Sequence, residues 1–277
     1  MSGFVYIDGL LIMMLFATGM WLLSLYLRDV SIVDSAWSLM FLAASLVYAS
    51  EQIYPNIDLR ALIIVALVSI WALRLFVYVT WRNWGEEEDH RYKVIREKYA
   101  EYFSLKSLFI IFLFQAVLAW IISLPLFASL ASQTIQVREA TQIILDIIAI
   151  NLIVIGLLFE SIADWQLATF KRNAKNAGKV MDSGLWSYSR HPNYFGECLI
   201  WWGFYCFALS NGAWWSILSP LIMTWLLLKF SGVVMLEKTI VNRRPAYKEY
   251  IKRTNAFFPG PTKEGKTDQL RGQHEAN

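Results

Sequence analysis

The chain has 277 residues, of which 57% are hydrophobic, 16% aromatic and only 17% charged. Its apolar residues run in long blocks with few polar faces between them, which excludes a soluble domain and marks a multi-pass membrane protein. A net charge of +3 offers nothing to nucleic acid. Cys198 and Cys206 lie on one predicted helix, too far apart to bridge, and serve as small apolar residues.

Seven blocks are long enough to cross about 30 Å of hydrocarbon: residues 7–27, 32–50, 60–80, 107–130, 142–169, 193–210 and 213–236. The first lacks a basic lead and a small-residue cleavage site, so it reads as a span and not a cleavable signal. The expectation is an all-α integral membrane protein, with one membrane domain over residues 1–260 and a disordered tail over 261–277.

The loops fix an orientation. Arg28, the group from Arg82 to Lys106, the group from Lys171 to Arg190, and the bases from Lys238 to Arg271 fall on one side. Arg60 and Arg138 fall on the other. Basic loops stay inside, which predicts an external N-terminus and a cytoplasmic C-terminus. Residues 81–106 predict an interfacial helix from Asp89 onward, and residues 171–192 a basic loop. No internal repeat supports a transporter built from inverted halves.

Ionisable residues within spans are costly and point to function. Asp34 stands one turn inside the second block, with Trp37 and Ser38 beside it. Trp71, Arg74 and Tyr78 form a single stripe on the third. The bland alternatives are a solvated helix-start acid and a snorkelling arginine. If Arg74 lies near Asp34, it neutralises it or shares a polar substrate group with it. Glu160, Asp164 and Lys171 follow one face of the fifth block, where two close acids call for a donor such as a ribose hydroxyl or an amide. The bland reading there is a wet helix end.

The stretch DSGLWSYSRHPNYFGE, Asp182 to Glu197, separates two apolar blocks. Asp182, Ser183 and Gly184 predict a turn, and Pro192 suits the first turn of a helix. Asn193 and Glu197 then share a helix face. With Arg190, His191 and Tyr194, the segment gathers a cation, an imidazole, an amide and a carboxylate at a membrane surface. Glycine-rich nucleotide motifs and a serine-nucleophile elbow are absent from the sequence. His90, His191 and His274 lie in separate segments, so no metal centre is expected.

These residues resemble a known superfamily. G-L-W-S-Y-S-R-H-P-N-Y-F-G-E is similar to the C-terminal signature of the membrane steroid 5-alpha-reductases and their bacterial relatives, and R-H-P-N-Y is similar to that of the sterol C14 reductases. The resemblance runs from about Ser31 to Pro259. It includes R-L-F-V-Y from Arg74 to Tyr78, R-N-W-G-E-E-E-D-H-R-Y after it, the Glu160/Asp164 pair, and the span from Tyr250 to Pro259.

The resemblance implies a seven-helix bundle holding NADPH in a cytoplasm-facing cavity, with a lipophilic enone entering from the bilayer. Cofactor contacts are implied for Glu160, Asp164, Lys171, Arg172, Tyr188, Arg190, His191, Asn193, Tyr194, Glu197, Tyr250 and Arg253. Asp34, Trp71, Arg74 and Tyr78 are the candidate donors to the substrate carbonyl. Trp71 stands where the family has a tyrosine, Glu160 where it has an asparagine, and Lys171 where it has an arginine. Glu237 and Lys238 replace its paired histidines.

The basic residues Lys171, Arg172 and Lys175 suit phosphate groups, which favours NADPH over NADH. The expected activity is hydride reduction of a C=C bond conjugated to a ketone, with no protein partner required. Two alternatives stay open. Isoprenylcysteine carboxyl methyltransferases, which use S-adenosylmethionine, also resemble R-H-P-x-Y-x-G followed by a glutamate-bearing helix. A non-enzymatic lipid-binding or transport protein is the other.

Overall fold

The computed structural model describes residues 3–53, 58–131, 138–230, 240 and 244–263. The predicted tail beyond residue 263, and Glu237 with Lys238, lie outside the described residues. Among the described residues every regular element is helical. In chain order these are α1 (Gly3–Leu27), α2 (Ile32–Ile53), α3 (Leu59–Asn83), α4 (His90–Lys98) and α5 (Phe103–Ser107), followed by a π-helical turn Leu108–Leu113. Then come α6 (Phe114–Ile122), α7 (Leu124–Leu130), α8 (Ala140–Arg172), α9 (Leu185–Tyr188) and α10 (Pro192–Ser210). A 3-10 turn Trp214–Ile217 leads into α11 (Leu218–Trp225) and the π-helical turn Leu226–Phe230, and α12 (Tyr247–Arg253) comes last.

Local chemistry sets the boundaries. Asp58 and Asp89 cap α3 and α4, their carboxylates accepting from the backbone N–H groups of Arg60 and Arg91 at 2.9 Å. Pro192 opens α10, as its missing N–H allows. Pro125 opens α7 and interrupts the fourth apolar block, so what reads as one span over 107–130 becomes α5 to α6 and then a short separate helix. The fifth block extends to Arg172, so Lys171 and Arg172 stand on the last turn of α8 and not in a loop. Both cations there complement the negative end of the helix.

Among the described residues, five helices are long and apolar enough to cross a membrane: Phe4–Leu27, Ile32–Ser50, Leu59–Asn83, Phe103–Ile122 and Ala140–Arg172. The sixth block forms α10, which is not one of the five, and the seventh is described only as far as Phe230.

The chain divides into two compact units. Unit 1 comprises residues 1–145 and 207–219. Within it α2 packs on both α1 and α3 around the fully buried Met40, Phe41, Ile64, Val68 and Trp71. Tyr6 and Trp120 exchange hydrogen bonds, each donating to the other's carbonyl, and tie α1 to α6. At one end of this unit Arg60 donates to the carbonyls of Ser129 and Phe207, and both Arg60 and Arg138 donate to Ser210 Oγ at 2.9 Å.

Unit 2 comprises residues 146–206 and 220–277, and its frame is the crossing of α8 with α10. Here glycine is required for close approach. A Cβ added at Gly196 would meet the Gly156 carbonyl at 2.6 Å and the Glu160 amide at 2.7 Å. A Cβ at Gly203 would meet Ile153 Cγ1 at 2.6 Å and the Ala149 carbonyl at 2.9 Å. The two backbones therefore touch along a strip of small residues, and the side chains beside that strip are pressed together.

Candidate functional site

In unit 2 the close crossing sets Glu160 and Asp164 of α8 beside Asn193 and Glu197 of α10. Glu160 is 4% exposed, Asp164 3% and Glu197 6%. Buried carboxylates demand donors. Asn193 Nδ2 donates to Asp164 Oδ1 at 3.1 Å, and Trp201 Nε1 donates to Glu197 Oε1 at 3.0 Å. His191 is also buried, its ring stacked on that of Tyr194 at 5.6 Å between centroids and 8° between planes. Lys171 and Arg172 are exposed at the end of α8.

The segment before α10 is held from the far end of the chain. Ser189 forms a single parallel bridge with Asn255, and its hydroxyl donates to the Phe257 carbonyl at 2.7 Å. The Arg190 guanidinium donates to the carbonyls of Ile251 and Thr254, at 3.1 and 2.5 Å. Tyr250 OH donates to the Trp186 carbonyl, and Trp186 Nε1 donates in turn to the Ala163 carbonyl at 3.0 Å. Tyr188 accepts through its carbonyl from the Gly260 amide, and Arg253 pairs with Asp182. Burial pushes the Tyr250 phenol up, and the neighbouring Tyr247 adds to the rise. It therefore stays a neutral donor throughout the physiological range.

Of the residues singled out in sequence, Asp164, Asn193, Glu197 and Glu160 come together, with His191 and Tyr194 at the start of the same helix. Arg190, Tyr250, Arg253 and the Tyr188 backbone act as fasteners between the 182–192 segment and the closing stretch of α12 and the residues up to Gly260. Trp186, Ser189 and Trp201 are buried members of the set that sequence reasoning missed. Trp201 was detectable, since it lies one helical turn beyond Glu197.

Unit 1 carries the other group. Asp34, at the start of α2, accepts from Arg91 Nη2 at 2.7 Å and from Tyr92 OH at 2.6 Å. Arg91 and Tyr92 of α4, and not Arg74, are thus its partners. Next to this pair, Glu88 accepts from the Val30 amide at 2.9 Å and from two nitrogens of Arg96. Tyr92 is raised by burial first, and then by the charge of Asp34 and the hydrogen bond to it. The acidic run before α4 therefore works as a clip on the α1–α2 turn.

The stripe on α3 runs from core to surface. Trp71 is fully buried, edge-on to Phe41 with centroids 5.7 Å apart. Arg74 lies 5.3 Å above the Tyr78 ring centroid. Leu73, Arg74, Val77, Tyr78 and Trp81 form an open, shallow and mostly apolar face of that helix.

Comparison with known proteins places these features in a lineage. A family model described as "Protein of unknown function (DUF1295)" matches residues 20–254, which contain both polar groups. The uncharacterized protein C594.04c of Schizosaccharomyces pombe (strain 972 / ATCC 24843) is 28% identical over 280 residues, covering 92% of this chain and 79% of the yeast protein. No solved structure matches the chain. From the middle of α1 to the end of α12 the chain belongs to the DUF1295 family, a family of unknown function related to the steroid 5-alpha-reductases.

Proposed function

We propose that this protein is an NADPH-dependent reductase of a C=C bond conjugated to a ketone in a lipophilic, steroid-like substrate. The observation that carries the reading is the buried cluster of Glu160, Asp164, Asn193 and Glu197 at the α8–α10 crossing. Such carboxylates and an amide suit the hydroxyls of a ribose and the carboxamide of a nicotinamide, all of which bring donors to buried acceptors. Lys171 and Arg172, on the last turn of the same α8, suit the phosphates. The relation of the family to the steroid reductases points the same way.

When bound, the dinucleotide supplies hydride to the electron-poor carbon of the enone. The protein supplies a donor to the carbonyl oxygen, where negative charge develops, in a site kept dry so that the donor is strongest. Arg74 and Tyr78, whose guanidinium and ring lie 5.3 Å apart on one face of α3, are the candidates for that donor. Asp34 is engaged by Arg91 and Tyr92, and Trp71 is packed into the core of its unit.

The same proposal takes the chain as a seven-span protein with its N-terminus outside and its C-terminus in the cytoplasm of a bacterial cell. Five long apolar helices and the asymmetry of the basic loops support it.

Thermal unfolding of the purified protein tests the cofactor. NADPH at a hundredfold excess over its dissociation constant is expected to stabilise by about 2.7 kcal/mol, and S-adenosylmethionine not at all. NADPH oxidation with 3-oxo-4-ene steroids then tests the reaction. Stabilisation by S-adenosylmethionine alone overturns the reductase reading in favour of a methyltransferase.

A further inference from the structure

In unit 2 the loop after α8 folds back along the helix it leaves. The Leu185 amide donates to Gln166 Oε1 at 3.0 Å, and Trp186 Nε1 donates to the Ala163 carbonyl at 3.0 Å. Ala163 lies nine residues before Arg172, so the loop returns about 13 Å along the axis. It does so over the last turns of a helix long and apolar enough to cross a membrane. The closing stretch is held at the same level. Tyr250 OH donates to the Trp186 carbonyl, Arg244 Nη1 donates to the Lys179 carbonyl at 2.5 Å, and Arg253 pairs with Asp182. Trp165, Tyr188 and Phe258 are 67%, 52% and 71% exposed on these elements, as aromatic rings are at a membrane–water boundary.

Charge here is one-sided. Residues 173–183 and 244–263 carry seven cations and two acids. Each acid is engaged by a cation of its own, Asp182 by Arg253 and Glu249 by Lys252, the latter at 2.7 Å. Lys175, Lys179, Lys248 and Lys263 are exposed. Lys171 and Arg172 serve the nucleotide reading and lie outside both segments. The other acids of unit 2 among the described residues are Asp146, near the far end of α8, and the buried Glu160, Asp164 and Glu197.

We propose that this face binds anionic phospholipid head groups, and that the bound lipid clamps α12 onto the 182–192 segment. The cations come from both sides of a joint: Lys175 and Lys179 from the loop, Arg244 and Lys248 from the closing stretch. The joint closes where Arg244 meets the Lys179 carbonyl. Like charges repel across it, and a layer of phosphodiesters turns that repulsion into attraction. A soluble acidic partner would supply the charge, but not the apolar boundary that suits three exposed rings at the end of a spanning helix. Nothing in this assignment draws on the reductase reading.

The test uses the full chain in nanodiscs of phosphatidylcholine alone, or of phosphatidylcholine mixed with phosphatidylglycerol. Mass spectrometry of the protein released from the mixture reads which lipid it retains. Chymotrypsin cleavage at Trp186 and Tyr188 reads the clamp. Phosphatidylglycerol is expected to be retained in preference and to slow cleavage about fivefold, the share of one cation at an anionic surface. Both effects should shrink in high salt. Lys179→Gln combined with Lys248→Gln should lose both, with an unfolding temperature in phosphatidylcholine equal to that of the wild type. Lys179→Arg combined with Lys248→Arg should keep both, as should Lys98→Gln, which removes one charge from α4 in unit 1.

Equal retention of the two lipids by the wild type overturns the proposal, as does cleavage indifferent to phosphatidylglycerol. So do effects that survive the double glutamine variant or vanish with Lys98→Gln. Equal protection in phosphatidylcholine discs by inorganic phosphate or by polyglutamate also overturns it, in favour of a small-anion site or an acidic protein partner.

Discussion

Asp164 and Asn193 are 29 residues apart in sequence and 3.1 Å apart in space, and that single bond ties the two halves of the candidate nucleotide site. Asn193→Ala removes the amide and leaves a buried carboxylate short of a donor, at a cost of about 1–3 kcal/mol. NADPH protection should be lost together with part of the intrinsic stability. Glu197→Ala is expected to lose protection as well, with Trp201 Nε1 left without its acceptor; protection that persists in both variants would put the nucleotide elsewhere.

Glu88 offers a pH test in unit 1. Burial raises its carboxyl, but the bonds from Arg96 and the Val30 amide, with the charge of Arg96, outweigh burial and hold it below the usual glutamate range. A depressed carboxylate contributes its stability in full above the unfolded value, roughly pH 4.3, and loses it as the pH falls through the folded value. Hydrogen exchange at the Val30 amide should therefore accelerate, relative to neighbouring amides, as the pH falls below the usual glutamate range, and Glu88→Gln should abolish that pH step. The acids of the fifth and sixth blocks were legible in sequence because helical spacing fixes which residues share a face. The partners of Asp34 were not, since Arg91 and Tyr92 reach it only through the fold of the α3–α4 connection, and no periodicity encodes that turn.

Among the elements, α8 and α10 are set by glycine. Gly196→Ala drives a methyl group into the Gly156 carbonyl and the Glu160 amide, both backbone atoms that cannot swing aside. The expected destabilisation is about 1–3 kcal/mol, read as a lower unfolding temperature in detergent, and the helices must separate enough to spread the four polar side chains. An alanine at Gly19, where a Cβ meets nothing within 4 Å, is the matched control and should be close to neutral. The closing helix α12 gives a second test. Tyr250→Phe deletes the donor to the Trp186 carbonyl, at about 1 kcal/mol, and should speed proteolysis in the 182–192 segment. The sequence announced α4 and α10 through their capping aspartate and their proline. It concealed the break in the fourth block, because Pro125 sits in an unbroken apolar run whose hydrophobicity outweighs one turn signal.

At the scale of the whole molecule, the all-helical membrane class was legible from composition alone, because apolar blocks of this length have few other folds available. Span number was less so: α10 opens on the polar run from Asn193 to Glu197, which weakens the signal that marks a span. The proposed orientation predicts labelling from opposite faces at the two ends of α8. In a background of Cys198→Ala and Cys206→Ala, Glu139→Cys should react with an impermeant maleimide in intact cells, and Lys175→Cys only after the inner face is opened. The reverse pattern would invert the topology and turn the polar cluster away from the cytoplasmic nucleotide pool.

The fastening of Ser189 and Arg190 to residues 251–257 also has a bearing on how the protein is made. Their partners leave the ribosome more than 60 residues later, several seconds at roughly 5–20 residues per second. Throughout that interval the nascent chain presents an arginine and a backbone stretch still waiting for their acceptors and donors. Loss of the last segment, by a premature stop or by clipping, should leave inserted helices that cellular quality control recognises and clears, even though every apolar block is present.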